Sequence, residues 1–354
     1  MSCAYALRCL RWKCRLDVCA VACAVRFRLY CALFLLTWVF WPVFPARAQD
    51  TSCLQRTLPI TVHDSHWLQF HGLTPEDFQA KFRSQPVKIL SIHPDTRPHR
   101  VVVLLDTSGS MRGEVSGKEW KIASSVAAHF GQANLKSTSL ALFLFSDKVL
   151  EQIDFAQGNS VIANRLLNIW SDPTYVKKNV RGTTALFDTI SSALRSLGGS
   201  GYSDSVYVIS DGGDNHSRSS FGNVRNALAA AGVRLHVTLL APESLISPQE
   251  SMGAKDLTDL VMESGGLLVG PLGRTHTGYV SYDLPEDQRR ALATQLSLMY
   301  LGMTNNDVIE IELPRPVDKL REWTLELSPA TKKVYKDLWI AYPQQLTPCN
   351  ARSN

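Results

Sequence analysis

Short apolar runs that end in turn residues recur along the chain, and amphipathic helical patterns separate them. The clearest run extends from Val101 to Leu105 and ends at Asp106, and a second extends from Val206 to Ile209 and ends at Ser210-Asp211. A short all-apolar run between turn residues is typical of a parallel strand that is buried on both faces. Strands that alternate with helices in this way predict a Rossmann-like α/β fold with a doubly wound, mainly parallel sheet.

The stretches between these strands predict the covering elements. Apolar residues at three- and four-residue spacing predict helices from Lys118 to Gly131 and from Leu186 to Leu197. Two strands close together, Ser139 to Ser146 and Val149 to Phe155, predict a hairpin. Ser171 to Arg181 is polar and is interpreted as a loop.

Both flanks of this region show strand-like alternation instead. Leu58 to Asp64 precedes it, whereas Ile309 to Leu313 and Trp323 to Leu327 follow it, with apolar residues at every second position in the latter two. Thr74 to Phe78 resembles a helix start, because threonine, proline and two acids occupy the cap and first turn. We predict that strands from both flanks pair into one small β-rich unit.

The first 48 residues have the pattern of a secretory signal peptide. Six basic residues precede an uncharged run of 17 residues from Leu29 to Pro45, and Ala46-Arg47-Ala48 forms a small-x-small cleavage site. The predicted location is therefore secreted or periplasmic. An uncleaved membrane anchor is the alternative, although this run is short and contains Pro42 and Pro45.

Four segments follow from these patterns: a signal peptide (1–48), an amino-terminal β-rich flank (49–98), an α/β domain (99–282) and a carboxyl-terminal helix with strands (283–354). Residues 1–48 contain seven of the 37 basic and one of the 32 acidic residues, which leaves 30 basic and 31 acidic residues in the remainder. A near-neutral remainder does not have the basic surface of a nucleic-acid-binding protein. We also expect no membrane span after signal cleavage.

Cysteine positions point to a disulfide in an exported protein. Six of the eight cysteines lie before residue 49, and the remaining two, Cys53 and Cys349, lie near the two ends of the mature chain. Chain termini of a domain usually lie close together, so a bridge between them is predicted. Two free thiols, or a link to another chain, remain as alternatives.

Hydroxyl and carboxylate groups follow the two apolar strands and precede one helix. They are Asp106, Ser108 and Ser110 after the first strand, Thr184 before the Leu186 helix, and Asp211 after the second strand. Ligands in open α/β sheets bind beyond the carboxyl ends of the strands, and oxygen groups suit a small hard cation. This combination resembles the von Willebrand factor type A domain and its metal-ion-dependent adhesion site.

The resemblance implies that these five residues hold one Mg²⁺ or Mn²⁺ ion. It leaves open whether Thr183 or Thr184 is the ligand, because this chain has Gly182-Thr183-Thr184 where the family usually has Gly-Gly-Thr. It further implies that the protein is no enzyme but an exported adhesion module, whose ion engages an Asp or Glu carboxylate of a partner protein. The charged residues at the same edge that could shape the partner surface are Arg112, Glu114, Asp214, His216 and Arg218.

A narrower resemblance covers most of the mature chain. Gly72 to Phe78, Leu104 to Met111, Thr184 to Asp188 and Ser210 to Asn215 resemble the secreted bacterial VWFA-related acidobacterial domain family. That family implies a fold and a site but no particular ligand.

Two other interpretations compete with a metal-dependent adhesion module. The five side chains could cap helices and satisfy loop amides without an ion, in a structural envelope or assembly scaffold. A metal-dependent hydrolase would need a base beside the ion, for which His216 is the local candidate. His63, His66 and His71 lack a fourth ligand at a spacing that suits zinc, so we interpret them as packing or surface residues.

Overall fold

The structure is a computed structural model that describes residues 53–112, 118–133, 135, 137–198, 203–240, 248–272, 274–275, 278–279 and 286–348. Residues 1–48, Glu114 and Cys349 lie outside this part of the chain. The signal peptide, the disulfide to Cys53 and the exact segment boundaries therefore stay predictions.

The strands of the described residues are β1 (Gln55–His63), β2 (Phe78–Phe82), β3 (Gln85–Pro94), β4 (His99–Asp106), β5 (Thr138–Phe145), β6 (Val149–Ile153), β7 (Ser205–Ser210), β8 (Arg234–Leu240), β9 (Leu268–Leu272), β10 (Arg274–Thr275), β11 (Gly278–Tyr279), β12 (Asp307–Glu312), β13 (Arg321–Glu322), β14 (Thr324–Leu327), β15 (Trp339–Ala341) and β16 (Gln345–Leu346). The α-helices are α1 (Lys118–Gln132), α2 (Asn159–Ser171), α3 (Tyr175–Asn179), α4 (Leu186–Leu197), α5 (Phe221–Ala231), α6 (Pro248–Ser264), α7 (Glu286–Thr304) and α8 (Pro329–Val334).

The central sheet has the strand order β6-β5-β4-β7-β8-β9. β4 pairs in parallel with β5 and β7, and β8 and β9 continue the parallel arrangement. The antiparallel edge strand β6 forms the predicted hairpin with β5. The α/β fold with a mainly parallel sheet is thereby confirmed.

Helices cover both faces of the central sheet, because its strands are apolar on both sides. One core packs residues of α1, α2 and α7 against the sheet, and the other packs residues of α4, α5 and α6. Phe130 of α1 is fully buried, with its ring centroid 5.0 Å from that of Tyr207 and 4.9 Å from that of Tyr300. These aromatic contacts connect a central strand with two helices.

The second sheet combines both flanks in the order β14-β2-β3-β12-β1-β15, with antiparallel pairing throughout. Its buried side chains, including Phe82, Ile309 and Leu325, form a separate core. β1 precedes the central sheet in sequence and β12 follows it, and both are paired along six residues. The small β-rich unit built from both flanks is therefore present.

One local prediction holds only for a short turn, and another is wrong. The helix start at Thr74 is only a single 3-10 turn, Pro75–Asp77, in which Thr74 and Asp77 form a capping box, and strand β2 follows directly. The alternating side chains of Phe78–Phe82 favour a strand because β3 and β14 pair with it on either side. The polar stretch interpreted as a loop contains helix α3, whose first residue Tyr175 is buried.

Buried polar side chains lie where strands β1, β4 and β8 approach helix α7. Arg234 is fully buried and donates hydrogen bonds to the carbonyl oxygen of Met303 (2.8 Å) and to Oδ1 of Asn306 (3.0 Å). His63, His99 and His236 are also buried, and the Arg234 charge lowers the pKa of each, after the larger effect of burial. His63, from the second sheet, thus lies in one electrostatic cluster with residues of the central sheet.

None of the helices in the described part of the chain combines the length and apolar character that a membrane crossing requires.

Candidate functional site

The first segment of the site follows β4. Asp106 is fully buried, and its carboxylate accepts hydrogen bonds from the Ser108 backbone N–H (2.8 Å) and from the Ser210 hydroxyl (2.6 Å). The hydroxyl oxygens of Ser108 and Ser110 lie 3.1 Å apart, although Ser108 is buried and Ser110 is exposed. The first turn after the strand therefore brings two hydroxyl groups together, one buried and one in an exposed residue.

The second segment is held against the first by its backbone. The Gly109 N–H donates to the carbonyl oxygen of Gly182 (2.9 Å), and a Cβ on Gly109 would lie only 3.1 Å from that oxygen. Gly182 itself has a φ of +91°, which glycine adopts without strain. Of the two threonines that follow, Thr183 is exposed and Thr184 is buried.

The third segment follows β7 and contacts the second. The Asn215 side-chain oxygen accepts a hydrogen bond from the Thr184 N–H (2.8 Å), while the N–H groups of Asn215 and His216 donate to the Thr184 carbonyl oxygen (3.1 and 3.0 Å). Asp211 is 4 % exposed and accepts a hydrogen bond from the Gly213 N–H (3.2 Å). Three segments that are distant in sequence thus meet at one edge of the central sheet.

Two carboxylates dominate the electrostatics of this edge. Burial, and then the charge of Asp211, raise the pKa of Asp106 well above its ordinary value, against the opposing effect of hydrogen bonds from Ser210 and Ser108. The electrostatic influence of Asp211 on Asp106 means that the two carboxylates repel each other within a buried environment. A nearby cation would reduce this repulsion, so the charge arrangement fits a metal ion.

The chemical types of the side chains fit the same ion. Hydroxyl and carboxylate oxygens are the ligands that Mg²⁺ prefers, and Mg²⁺ usually keeps several waters. Among the described residues, no group of three or more His, Cys, Asp and Glu side chains could hold a metal ion. The site accordingly differs from a zinc centre. It would depend on the hydroxyl groups of Ser108, Ser110 and Thr184 together with the two aspartates.

Several acidic residues beside the candidate ligands accept hydrogen bonds that support the loops, and local sequence patterns do not reveal these contacts. The Asp214 carboxylate accepts the Phe187 N–H (2.9 Å) at the start of α4. Asp188 accepts the N–H groups of Arg218 (3.0 Å) and Ser219 (2.9 Å). Asp214, proposed from sequence as part of the partner surface, is therefore engaged by the fold, whereas the side chains of Arg112, His216 and Arg218 are exposed.

The comparisons agree with this architecture. Residues 101–213, which include all five candidate ligands, match the family model of the von Willebrand factor type A domain. The chain therefore contains a von Willebrand factor type A domain. Domains of this family are generally interaction modules that bind other proteins. A search of curated proteins finds no significant match.

Solved structures with a similar fold come from diverse sources. The human COPII-coat protein Sec24c has 10 % identity and a TM-score of 0.39 over 71 % of this chain, which spans 44 % of that chain. The conserved hypothetical protein BatB from Bacteroides thetaiotaomicron has 16 % identity and a TM-score of 0.33. The match covers 56 % of this chain and 98 % of BatB. A von Willebrand factor type A protein from Catenulispora acidiphila has 10 % identity and a TM-score of 0.35. The match covers 82 % of this chain and 73 % of that protein.

Proposed function

We propose that this protein is an exported, metal-dependent binding module that engages an Asp or Glu carboxylate of a partner protein. The observation that carries the proposal is the meeting of three loops at the edge of the central sheet, joined by hydrogen bonds from Gly109 to Gly182 and from Asn215 to Thr184. The chemistry of the five side chains suits Mg²⁺ or Mn²⁺. A bound ion of this kind would supply an electrophilic position for an external carboxylate.

The chain's own residues would have distinct roles. Ser108, Ser110 and Thr184 would provide neutral hydroxyl ligands, and Asp106 and Asp211 would provide negative charge. The Ser210 hydroxyl donates to Asp106 and so holds the orientation of this carboxylate. Because three of the five groups are uncharged, the ion would keep enough positive charge to attract a carboxylate from outside.

The export of the protein belongs to the same proposal. A secreted or periplasmic location follows from the amino-terminal pattern of residues 1–48, and a Cys53–Cys349 bridge would be stable there. The intact mass of the mature protein, measured before and after reduction, tests both points. A start at Gln49 and a mass increase on reduction would support them, whereas an unprocessed chain would favour the membrane anchor.

Thermal unfolding with and without Mg²⁺ tests metal binding. A ligand that binds only the folded state at 100 times its Kd adds about 2.7 kcal/mol to the free energy of unfolding, so we expect a clear rise in Tm. Asp106→Ala should abolish this rise. The matched control Asp172→Ala removes an exposed acid and should retain it. Equal Tm values of the wild-type protein in Mg²⁺ and in EDTA would instead favour the metal-free scaffold.

Partner binding needs a separate experiment. The immobilised protein should capture a protein from envelope or medium fractions in Mg²⁺, release it with EDTA, and fail to capture it after Asp106→Ala. Capture that persists in EDTA would contradict a metal-dependent interaction. Turnover of generic ester or phosphate substrates that His216→Ala removes would support the hydrolase interpretation instead.

A further inference from the structure

A basic segment directly precedes the threonine loop of the site. It contains Lys177, Lys178 and Arg181, all of which are exposed. The Arg181 N–H donates to the Thr107 carbonyl oxygen (2.9 Å), between Asp106 and Ser108 in the chain. The segment is therefore attached to the same loop that carries the first three candidate ligands.

The position of this segment is well defined by packing. Tyr175, the first residue of α3, is buried and stacks on Trp120 of α1, with ring centroids 5.3 Å apart and an interplanar angle of 7°. The Arg165 guanidinium lies 5.8 Å from the centroid of the same ring, and it also pairs with Glu151. Because Tyr175 is fixed between these groups, the lysines two and three residues later are presented in a defined place.

The positive charges of the segment are little compensated by the fold. Within the part of the chain that the structure describes, neither lysine nor Arg181 forms an ion pair with a carboxylate. Lys178 lies near enough to Asp172 to influence it electrostatically, but the Asp172 carboxylate accepts two hydrogen bonds from Thr174. The three basic groups thus remain available to another molecule.

An exposed aromatic residue precedes the basic segment in sequence. Trp170, in the last turn of α2, is 51 % exposed, although tryptophan usually lies largely buried. Exposed aromatic side chains beside basic groups are typical of protein interfaces, where tryptophan and arginine are enriched among the residues that contribute most binding energy. The combination favours a protein partner with negative charge.

We propose that Trp170, Lys177, Lys178 and Arg181 form a second contact surface, which binds an acidic stretch of the partner whose carboxylate occupies the metal site. This inference rests on the proposed function, since it assigns the residues beside the ion to the same partner. A partner with several acidic residues in sequence would place one carboxylate at the ion and the others along the basic segment. Attraction of this kind increases the association rate and weakens with ionic strength.

Binding of a labelled deca-glutamate peptide, measured by fluorescence anisotropy at low ionic strength with Mg²⁺, tests the surface. The double variant Lys177→Glu/Lys178→Glu should weaken the affinity about tenfold or more, and Trp170→Ala should weaken it about threefold or more. The matched control Lys333→Glu/Lys336→Glu makes the same charge change at two exposed lysines, one in helix α8 and one just after it. It should leave the affinity almost unchanged.

The outcomes separate the two proposals. Loss of peptide affinity in the first double variant alone, with the Mg²⁺-dependent rise in Tm intact, would support the contact surface. An equal loss in both double variants, or no peptide binding by the wild-type protein, would overturn it. Absence of any Mg²⁺ effect on Tm would refute the metal site, and the comparison of the two double variants without Mg²⁺ would still decide the role of the basic segment.

Discussion

The buried histidines predict that the protein loses stability in mild acid. His63, His99 and His236 are at most 3 % exposed, and burial lowers the pKa of each in the folded state, with a further contribution from the Arg234 charge. Backbone hydrogen bonds partly oppose this effect at His63 and His99. In the unfolded chain these side chains titrate near pH 6.5. Below that pH the unfolded state binds more protons than the folded state, so the free energy of unfolding falls as the pH decreases.

The pH dependence of the free energy of unfolding follows from the number of protons that the chain takes up on unfolding. Each histidine that is charged in the unfolded chain and neutral in the folded protein costs about 1.4 kcal/mol per pH unit. All three together set an upper limit of about 4 kcal/mol per pH unit below pH 6. Asp106, whose folded-state pKa is raised, acts in the opposite direction and reduces this slope by up to about 1.4 kcal/mol per pH unit. The other charged groups that act on the cluster are Asp64, His71, Asp95, Arg97 and Arg234, and the two aspartates oppose the effect.

Urea unfolding at successive pH values from about 5 to about 8 measures this slope. His236→Asn removes one titrating group and keeps an acceptor for the Leu267 N–H, which donates to Nδ1 of His236 at 3.1 Å. It should lower the overall stability but reduce the slope by up to about 1.4 kcal/mol per pH unit. His66→Asn changes an exposed histidine and should leave the slope unchanged. Equal slopes in the wild-type protein and His236→Asn would refute the reasoning.

Three further predictions concern packing and the threonine pair. Gly265→Ala should lower the free energy of unfolding by more than about 2 kcal/mol, because φ is +74° and the new Cβ would lie 2.3 Å from the Tyr342 carbonyl carbon. A urea titration would show this loss, and an unchanged unfolding midpoint would contradict the prediction. Phe130→Ala should cost about 3–5 kcal/mol in the same assay, since the ring is fully buried. Thr184→Val should diminish the Mg²⁺-dependent rise in Tm whereas Thr183→Val retains it, and the reverse order would identify Thr183 as the ligand.

The central sheet could be predicted from sequence because its strands are buried on both faces. Val101–Leu105 and Val206–Ile209 have no charged residue, and short hydrophobic runs between turn residues are typical of a covered parallel strand. The second sheet was harder to predict in detail. At Thr74–Asp77 the capping residues indicate a helix locally, but pairing of the next five residues with β3 and β14 determines a strand. Such pairing depends on residues that are distant in sequence.

The candidate site likewise combines features that local sequence predicts with contacts that depend on residues distant in sequence. Asp106, Ser108 and Ser110 are adjacent in sequence, so their spacing already places them in one turn. The supporting contacts of Ser210 with Asp106 and of Asn215 with Thr184 join residues 104 and 31 positions apart. No local pattern distinguishes these side chains from ordinary polar residues of a turn. Their roles could be recognised only once the loops had been brought together by the fold.

Direct titration of the protein with Mn²⁺ tests the central claim, because the paramagnetic signal of free Mn²⁺ reports binding without reference to stability or partner. The account predicts one ion for each chain in the wild-type protein, displaced by Mg²⁺ and lost in Asp106→Ala and Asp211→Ala, with Asp172→Ala unaffected. An absence of saturable binding, or equal binding by the wild-type protein and the Asp106→Ala variant, would contradict it.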